Sequence, residues 1–390
     1  MKEKESTDVT RYVGKDVERE LWARAAGRCQ FSDCNKILFL SPVTKERVNI
    51  AEKAHIYSFS KKGPRGWGAL VDKTNVNNIS NLLLVCHDCH KTIDQDKNGD
   101  KYSASLLQQW KMDHENRVAI VTGIHPSKKS QVITYESNIA EQFPKISSDL
   151  AVQAMFPHRY PISEYPISLS MLCTHEDNSQ EFWKTESQHL IREFRRRIEP
   201  EIISKRIEHF SVFGFAPMPL LILLGSLFTD KTPLDTYQLL KEPVGWNWQE
   251  YEDGFDFVIH EPEDKSKEPV LIVAVSDQIL KNRVIDVLGE NVSIWEITVP
   301  KHFLGNDNIR SKTHLELWRK RLRELMALIR KEHHGISYLH IFPCMAVSCS
   351  IELGRIRNPK IDPYWIVYDY NTKTDNKFNK ALVIGENNAE

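Results

Sequence analysis

The sequence has 390 residues, which allows two or three domains of ordinary size. It is 41% hydrophobic and 27% charged with a net charge of −1, as in soluble globular proteins, and its longest apolar run, 218–228, is far short of the ~20 residues that a membrane span needs. The polar N-terminus has no apolar signal core, so we expect a cytoplasmic protein without a membrane partner, whose thiols stay reduced.

Patterns in the first 120 residues are typical of a small α+β domain. The predicted elements are a helix over 16–26, a strand over 48–57, a Gly-rich basic loop over 61–68, a strand over 81–85, a short helix over 87–94 and a helix whose N-cap is Ser103.

Four of the seven cysteines form two closely spaced pairs in this region. Four residues separate Cys29 from Cys34, and two separate Cys86 from Cys89. In a reducing compartment, two such pairs are typical of a structural Zn²⁺ site with four thiolate ligands. A domain this small has little core, so a bound metal would contribute to its folding free energy. The remaining cysteines lie in apolar stretches and are predicted to be buried free thiols. They are Cys173, Cys344 and Cys349.

Residue types suited to phosphodiester hydrolysis lie beside these cysteines. His55 is in the stretch AEKAHIYSF, and Asn81 and His90 are in NNISNLLLVCHDCHKTID. A single-metal nuclease needs a general base, for which histidine is suited, and a divalent cation on the scissile phosphate. A side-chain amide can also hold the base in one tautomer.

Together with the cysteines, this order of residues resembles the HNH, or ββα-metal, endonucleases. The resemblance implies that His55 is the general base, that Asn81 orients it, and that His90 binds a catalytic Mg²⁺ or Mn²⁺. Many relatives carry an acidic or histidine ligand just before the base, where this sequence has Ala54. The second protein ligand therefore stays open. The candidates are Glu52, His87, Asp94 and His55 itself.

The basic loop and the charge balance bear on DNA binding. Lys61, Lys62 and Arg65 are candidates for contacts with the DNA backbone, although a flexible solvated loop would have the same composition. Residues 1–125 hold 20 Lys and Arg against 16 Asp and Glu, a balance of +4, and residues 126–390 hold the remaining 32 against 37, a balance of −5. A first domain this weakly basic is expected to bind double-stranded DNA poorly as a monomer.

The character of the sequence changes after residue 120. We predict a nuclease domain over 1–122, a Pro/Ser-rich linker or docking segment over 123–160 and a second domain over 161–390. Strand and helix patterns alternate in the second domain, which favours α/β units with a parallel sheet. The predicted strands cover 167–172, 210–215, 256–260, 270–275, 293–299, 338–342 and 365–370, and the predicted helices cover 181–207 and 314–331.

Two segments of this second domain echo each other. F-G-F-A-P-M-P…L-G over 213–225 and H-I-F-P-C-M-A…L-G over 340–354 both give a strand, a proline, a methionine, an apolar helix and Leu-Gly. Two βα turns can share this order by coincidence, but the pattern favours a duplicated Rossmann-like half.

These segments, with YQLLKEPVGWNW after the first and a Y-D strand after the second, resemble the SAVED domain, a fused pair of CARF-like halves from bacterial cyclic-oligonucleotide antiphage systems (CBASS). The resemblance implies that a cyclic di- or trinucleotide, made by a partner nucleotidyltransferase, binds here. Ligands of open α/β sheets lie beyond the carboxyl ends of the strands, where helix N-termini favour phosphate. The candidate ligand residues are Met218, Trp246, Trp248, Met345, Arg355, Lys360 and Tyr368. Core packing is the other interpretation of the tryptophans.

The sequence as a whole predicts an α+β and α/β two-domain chain, with a zinc-stabilised HNH nuclease before a SAVED domain. We expect an antiphage effector that degrades double-stranded DNA when the nucleotide binds, which causes abortive infection. One HNH module cuts one strand, so we expect a homo-oligomer, a dimer at rest and a higher-order form such as a tetramer when activated. A constitutive restriction-type nuclease whose second domain reads DNA is the alternative, and the balance of −5 over residues 126–390 argues against it. A non-catalytic binding module is a second alternative, against which the intact His55, Asn81 and His90 argue.

Overall fold

The computed structural model describes residues 12–60, 62–66, 73–139, 144–171, 175, 179–250, 254–371 and 377–385. The chain divides into two compact units, Met1–His125 and Pro126–Glu390. Among the helices of the described residues, none combines the length and the apolar character that crossing a membrane requires.

The first unit places helices on a short antiparallel sheet. Its elements are α1 (Lys15–Arg24), β1 (Ala51–His55), β2 (Leu82–Cys86), α2 (His87–Gln95) and α3 (Ala104–Thr122). The register runs from Ala51 opposite Cys86 to His55 opposite Leu82. Strand β2 is buried along its whole length because it packs against both α1 and α2, which explains its apolar sequence LLLVC. Helix α2 follows β2 without a loop and also packs on β1.

The second unit begins with a parallel sheet and its helices. The elements are β3 (Lys129–Glu136), α4 (Ser148–Met155), β4 (Tyr160–Pro161), β5 (Ile167–Ser168), α5 (Gln180–Arg197), α6 (Glu199–Ser204), β6 (Phe210–Phe215), α7 (Met218–Phe228) and β7 (Leu234–Tyr237). The strands pair in the order β4-β3-β6-β7, and β5 also pairs with β3. All of these pairs are parallel.

A small hairpin then leads into a second sheet. The elements are β8 (Leu240–Lys241), β9 (Val244–Gly245), β10 (Val258–His260), β11 (Glu268–Ala274), α8 (Lys281–Leu288), β12 (Val292–Thr298), α9 (Lys312–Glu332), β13 (Tyr338–Cys344), α10 (Val347–Arg355), β14 (Tyr364–Asn371) and β15 (Lys377–Ile384). The order is β10-β12-β11-β13-β14-β15, and only the two edge strands are antiparallel to their neighbours.

The two sheets repeat one plan. The parallel order β4-β3-β6-β7 corresponds to β12-β11-β13-β14, with α4, α5 and α7 in the places of α8, α9 and α10. Phe213 stacks on Tyr237 and Phe342 stacks on Tyr368, each pair with ring centroids 4.3 Å apart. The two phenylalanines are 129 positions apart along the chain. The prediction of two fused Rossmann-like halves is therefore confirmed.

Helices α7 and α10 cross at their glycines. A Cβ on Gly225 would lie 1.9 Å from the carbonyl oxygen of Ile351, and one on Gly354 would lie 1.9 Å from that of Ile222. Gly225 and Gly354, like Ile222 and Ile351, are also 129 positions apart, so a pseudo-twofold axis relates the two contacts. The Leu-Gly pairs of the sequence echo thus mark the contact between the halves.

The segment 123–160 differs from the predicted linker. It contains β3, α4 and β4, and β3 is a central strand of the first half. The strand is buried on both faces from Ser130 to Glu136, but four of these residues are polar, so it shows neither an apolar run nor an alternation. These polar groups are satisfied internally, as when Ser130 Oγ lies 2.8 Å from His209 Nδ1.

The predicted helix over 181–207 also differs, because it is two helices. Helix α5 ends at Arg197 and α6 starts at Glu199, with Ile198 between them. Pro200 lies in the first turn of α6, where its missing N–H removes a hydrogen bond that a continuous helix needs.

Substitution of Gly225 or Gly354 by alanine is expected to destabilise the second unit by about 2 kcal/mol or more, because backbone atoms block the added methyl group. The measurement is thermal and urea unfolding of the full chain. Gly305→Ala is the control, since a Cβ there meets nothing within 4 Å. Equal melting temperatures for Gly225→Ala and Gly305→Ala would contradict the close crossing.

Candidate active site and ligand site

The four cysteines predicted to bind zinc converge in the first unit. Cys29 and Cys34 lie in the loop after α1, Cys86 ends β2, and Cys89 lies in the first turn of α2. Their sulfur atoms lie within 4.8 Å of one another, and those of Cys34 and Cys86 are 3.9 Å apart. A tetrahedral centre with Zn–S bonds of about 2.3 Å separates its sulfurs by about 3.8 Å, so this donor set fits Zn²⁺.

The crowding of the thiols has an electrostatic consequence. Burial raises the pKa of Cys29 to about 12, and burial together with the neighbouring thiols raises the pKa of Cys89. Four thiolates at this spacing repel one another, and a divalent cation among them replaces that repulsion with attraction. Within the described residues, this is the one group of three or more His, Cys, Asp or Glu ligand atoms so close together.

His55 ends β1, and an amide holds its ring. His55 Nε2 lies 3.0 Å from Asn77 Oδ1, and Asn77 Nδ2 donates to the carbonyl oxygen of Tyr12 at 3.2 Å. Because the Tyr12 carbonyl can only accept, the amide nitrogen of Asn77 faces it and the amide oxygen faces His55. The proton of the neutral imidazole is therefore on Nε2, and the basic lone pair is on Nδ1.

Asn81 holds the backbone beyond His55 rather than the ring. Its Oδ1 accepts from the backbone N–H of Tyr57 at 2.7 Å, and its Nδ2 donates to the carbonyl oxygens of Tyr57 and Val76 at 3.0 and 2.8 Å. The amide that contacts the His55 ring is therefore that of Asn77, whereas the sequence analysis assigned this contact to Asn81. The motif gave no signal for this, because several asparagines lie between 75 and 81 and spacing does not separate them.

Arg65 also points inward, which differs from its predicted DNA contact. Its Nε donates to the carbonyl oxygen of Ile56 at 2.6 Å, and its Nη2 donates to that of His55 at 3.3 Å. Burial lowers the pKa of Arg65, and the nearby carboxylates of Asp94 and Asp96 oppose that effect. The guanidinium therefore fixes the end of β1. Lys62 is exposed, and Lys61 lies outside the described residues, as does Cys173.

The metal-ligand candidates follow one face of α2. His87 Nδ1 lies 3.2 Å from Glu52 Oε1 near the start of the helix, and His90 Nδ1 lies 3.4 Å from Asp94 Oδ2 near its end. His90 Nδ1 is thus occupied by a carboxylate, which leaves its Nε2 for a metal. Glu52 and Asp94 each already have a histidine partner, and the position before His55 is the methyl group of Ala54.

In the second unit, the carboxyl ends of β6 and β13 meet across the pseudo-twofold axis. Met345 donates its backbone N–H to Met218 Sδ at 3.2 Å, so these two predicted ligand residues are brought together. Gln238, just after β7, accepts from the backbone N–H and the hydroxyl of Ser348 at 3.0 and 2.9 Å. The hydroxyl of Ser137, at the end of β3, is fully buried and has no hydrogen-bond partner among the described residues.

Of the three aromatic residues predicted to contact the ligand, two lie in the hydrophobic core and one is partly exposed. Trp246 is buried and packs edge-on against Phe213 at 5.2 Å. Tyr368 is buried as well, its hydroxyl lies 2.9 Å from His340 Nδ1, and burial raises its pKa to about 12. Both are core residues, which differs from the prediction. Trp248 is half-buried, and its Nε1 has no partner among the described residues, so it stays a candidate.

Two predicted phosphate ligands lie at the opposite edge of the sheets. Arg355 is the last residue of α10, and Lys360 follows in the turn before β14. Because α10 starts at the carboxyl end of β13 and runs back along the sheet, its last turn is at the amino end of β14. Arg355 is also buried and bound to Glu352, so neither cation is near Met218 and Met345.

Two family models match the chain. The model described as SAVED, "SMODS-associated and fused to various effectors sensor domain", matches residues 190–384, which is half of the chain. The model described as HNH endonuclease matches residues 29–97, a range that contains the four cysteines, His55, Asn81 and His90. No curated protein matches the chain. The predicted order of an HNH domain and a SAVED domain is thereby confirmed.

Several solved structures of SAVED/CARF-domain containing receptors are similar to this chain, at low sequence identity. The Acinetobacter baumannii Cap4 SAVED/CARF-domain containing receptor with the cyclic trinucleotide 2'3'3'-cAAA is 13% identical, with a TM-score of 0.42 over 75% of this chain and 65% of that chain. A second structure of that receptor is also 13% identical, with a TM-score of 0.41 over 80% of this chain and 65% of that chain. The Moraxella osloensis Cap4 SAVED/CARF-domain containing receptor is 10% identical, with a TM-score of 0.39 over 75% of this chain and 63% of that chain. The chain spans about 65% of the length of these receptors.

Replacement of Cys86 or Cys89 by serine is expected to unfold the first unit and to release its zinc, since a closed four-thiolate site contributes directly to folding. The measurements are zinc content per chain and thermal unfolding. Cys344→Ser is the control, because Cys344 is half-buried outside the cluster. A Cys86→Ser chain that retains one zinc and melts like the unsubstituted chain would contradict the assignment.

Proposed function

The chain belongs to the SAVED family of sensor domains fused to effectors and carries an HNH endonuclease domain, and from this we propose that a cyclic di- or trinucleotide bound to the second unit activates hydrolysis of double-stranded DNA by the first. The protein would act in the cytoplasm as an antiphage effector. A partner nucleotidyltransferase would supply the nucleotide, and loss of cellular DNA would abort the infection.

The chain of contacts from Tyr12 through Asn77 to His55 carries the nuclease proposal. It leaves the basic lone pair on His55 Nδ1, which is the state a general base requires. In the proposed reaction, Nδ1 takes a proton from the attacking water, and the Asn77 amide oxygen steadies the imidazolium that forms. Arg65 and Asn81 keep His55 in place through the backbone at the end of β1.

His90 Nε2 would hold the catalytic divalent metal, with Asp94 on its other ring nitrogen. A bound Mg²⁺ or Mn²⁺ would stabilise the negative charge that develops on the leaving oxygen. The protein offers few ligands there, because Glu52 pairs with His87 and residue 54 is alanine. Phosphate and water would complete the coordination, so metal affinity is expected to rise when DNA binds.

The nucleotide is proposed to lie at the edge where Met218 and Met345 meet. Both α7 and α10 begin there, and helix N-termini favour phosphates. Trp248 is half-buried, so the exposed part of its ring is proposed to stack on a base. The paired elements of the two halves suit a cyclic ligand with repeated units.

The nucleotide is further proposed to act by assembling the protein. A double-strand break needs two HNH modules, and a domain with a balance of +4 holds DNA weakly on its own. Modules placed side by side sum their phosphate contacts. The ligand must then bind the assembled state more tightly than the resting dimer, because equal affinity would shift nothing.

His55→Ala is expected to lower plasmid cleavage by 10²–10⁴-fold or more, since the general base is lost. Asn77→Ala is expected to have a smaller effect and to change the pH dependence of cleavage, because the ring loses the acceptor that fixes its tautomer. Nicking of plasmid with Mg²⁺ or Mn²⁺ measures both, with zinc content and melting temperature as controls for folding. Near-normal cleavage by His55→Ala would show that the base is misassigned.

Cleavage is expected to depend on one member of a panel of cyclic di- and trinucleotides and to rise together with molecular mass. The full chain is incubated with plasmid and each nucleotide, and light scattering is recorded on the same samples. Full activity from a species of unchanged mass would rule out assembly. Cleavage without any nucleotide would favour the constitutive restriction-type alternative.

A further inference from the structure

A cationic cleft of about 220 Å³ lies at the C-terminal end of α10, where the turn between α7 and β7 meets α9. Its lining includes Lys231, Arg319, Arg323, Glu352 and Arg355. The proposed nucleotide edge is at the other end of α10, and nine helical residues at 1.5 Å each separate the two by roughly 13 Å. The cleft is therefore a separate feature of the second unit.

The floor of the cleft is a neutral ion pair. Glu352 is 1% exposed, and both of its carboxylate oxygens accept from Arg355 Nη1 at 2.9 Å. Thr236 Oγ1 donates to the same carboxylate at 2.8 Å, and Arg355 Nη2 donates to the carbonyl oxygen of Thr232 at 2.9 Å. The buried negative charge is thus balanced within the floor, and the cations of the rim are in excess.

The rim carries positive charge with little compensation. Arg319 Nε lies 3.8 Å from Glu352 Oε2. Lys231 and Arg323 are exposed and form no ion pair with a described residue. Arg319 and Arg323 are four residues apart on α9, so they repel each other across one helical turn. Asp230 is the acidic side chain on this rim, and one carboxylate does not neutralise three cations.

Positive groups continue from the cleft to the amino ends of β3, β6 and β7. Burial lowers the pKa of His209 to about 4, and the charges of Arg159, Arg355 and Lys128 act in the same direction. Leu234 lines the cleft, and the next residue of β7, Asp235, binds Arg159, so the two groups of cations are adjacent. Asp235 opposes them and accepts from Arg159 Nε at 2.8 Å. The cations therefore form a row rather than one point.

This row lies where the chain enters the second unit. The carbonyl oxygen of Pro126, the first residue of that unit, accepts from the Tyr160 hydroxyl at 2.7 Å, and Lys128 follows two residues later. Residues 126–390 have a balance of −5, so a row of cations here is not a general property of the unit. A row of spaced cations suits a polymer with repeated negative charges.

We propose that this cationic edge binds phosphates of the DNA backbone and adds contacts that the weakly basic first unit lacks. We define the edge as Lys128, Arg159, Lys231, Arg319 and Arg323. The proposal rests on the proposed function, because DNA is the substrate there. Phosphate is the chemistry recognised, and a free polyphosphate is the other source of it.

The test compares two double substitutions in the full chain carrying His55→Ala, which prevents cleavage. Arg319→Gln with Arg323→Gln removes two charges from the cleft, and Lys320→Gln with Lys331→Gln removes two from the same helix outside the cleft lining. Affinity for a short duplex DNA is measured as a function of salt concentration. The slope of log K against log[salt] is expected to decrease by about 1.8 for the arginine pair, at about 0.9 per phosphate contact.

Equal slopes for the arginine and lysine pairs would overturn the proposal. If DNA slopes are equal but tripolyphosphate raises the melting temperature of the unsubstituted chain and not of the arginine pair, the cleft binds free phosphate compounds and the DNA assignment is wrong. A change of oligomeric state without a change in DNA affinity would make the cleft a protein contact instead. The binding measurements are made with each cyclic nucleotide of the panel present. Failure of the His55→Ala parent to bind DNA with any of these nucleotides would remove the proposed function as well, which separates the two failures.

Discussion

The crossing of α7 and α10 is the contact on which the second unit depends. Gly225 and Gly354 let each helix touch a backbone carbonyl of the other, at Ile351 and Ile222. Because the two helices pack so closely, they fix the position of one sheet relative to the other. The first residues of both helices, with Met218 and Met345, therefore lie at the same edge. A ligand bound there contacts both halves at once. The proposed nucleotide site therefore depends on these two glycines.

In the first unit, polar contacts hold the proposed catalytic histidine, His55, at the end of β1. Asn77 holds the ring of His55, Asn81 holds the following backbone, and Arg65 holds the carbonyl of His55 itself. The cysteine cluster joins the loop after α1 to the start of α2, which carries His90. A zinc ion bound by these cysteines would thus fix the helix on which the catalytic metal would depend.

Sequence patterns predicted what depends on short spacing and on unusual residue types. The cysteine pairs and the echo around Gly225 are of this kind, while the roles of His55 and His90 stay predictions. Strand β3 was missed because hydrogen-bonded polar side chains replaced an apolar run. Arg355 was misplaced because spacing does not tell which end of a helix meets the ligand edge. Asn77 was missed because only the fold distinguishes it from the asparagines around it.

The distribution of charge bears on how the proposed nuclease would be regulated. A nuclease domain with a large positive balance would bind DNA at all times and would need a strong block to stay silent. With +4 on the first unit and −5 on the second, the resting chain has little general attraction for DNA, and the net balance resists stray binding. Cations gathered at one edge of an otherwise acidic unit add affinity only for a partner that runs along that edge. If the nucleotide assembles the protein as proposed, weak single contacts would add up when several chains align on one duplex. The charge pattern that would keep the nuclease quiet at rest would then also make its response to assembly steep.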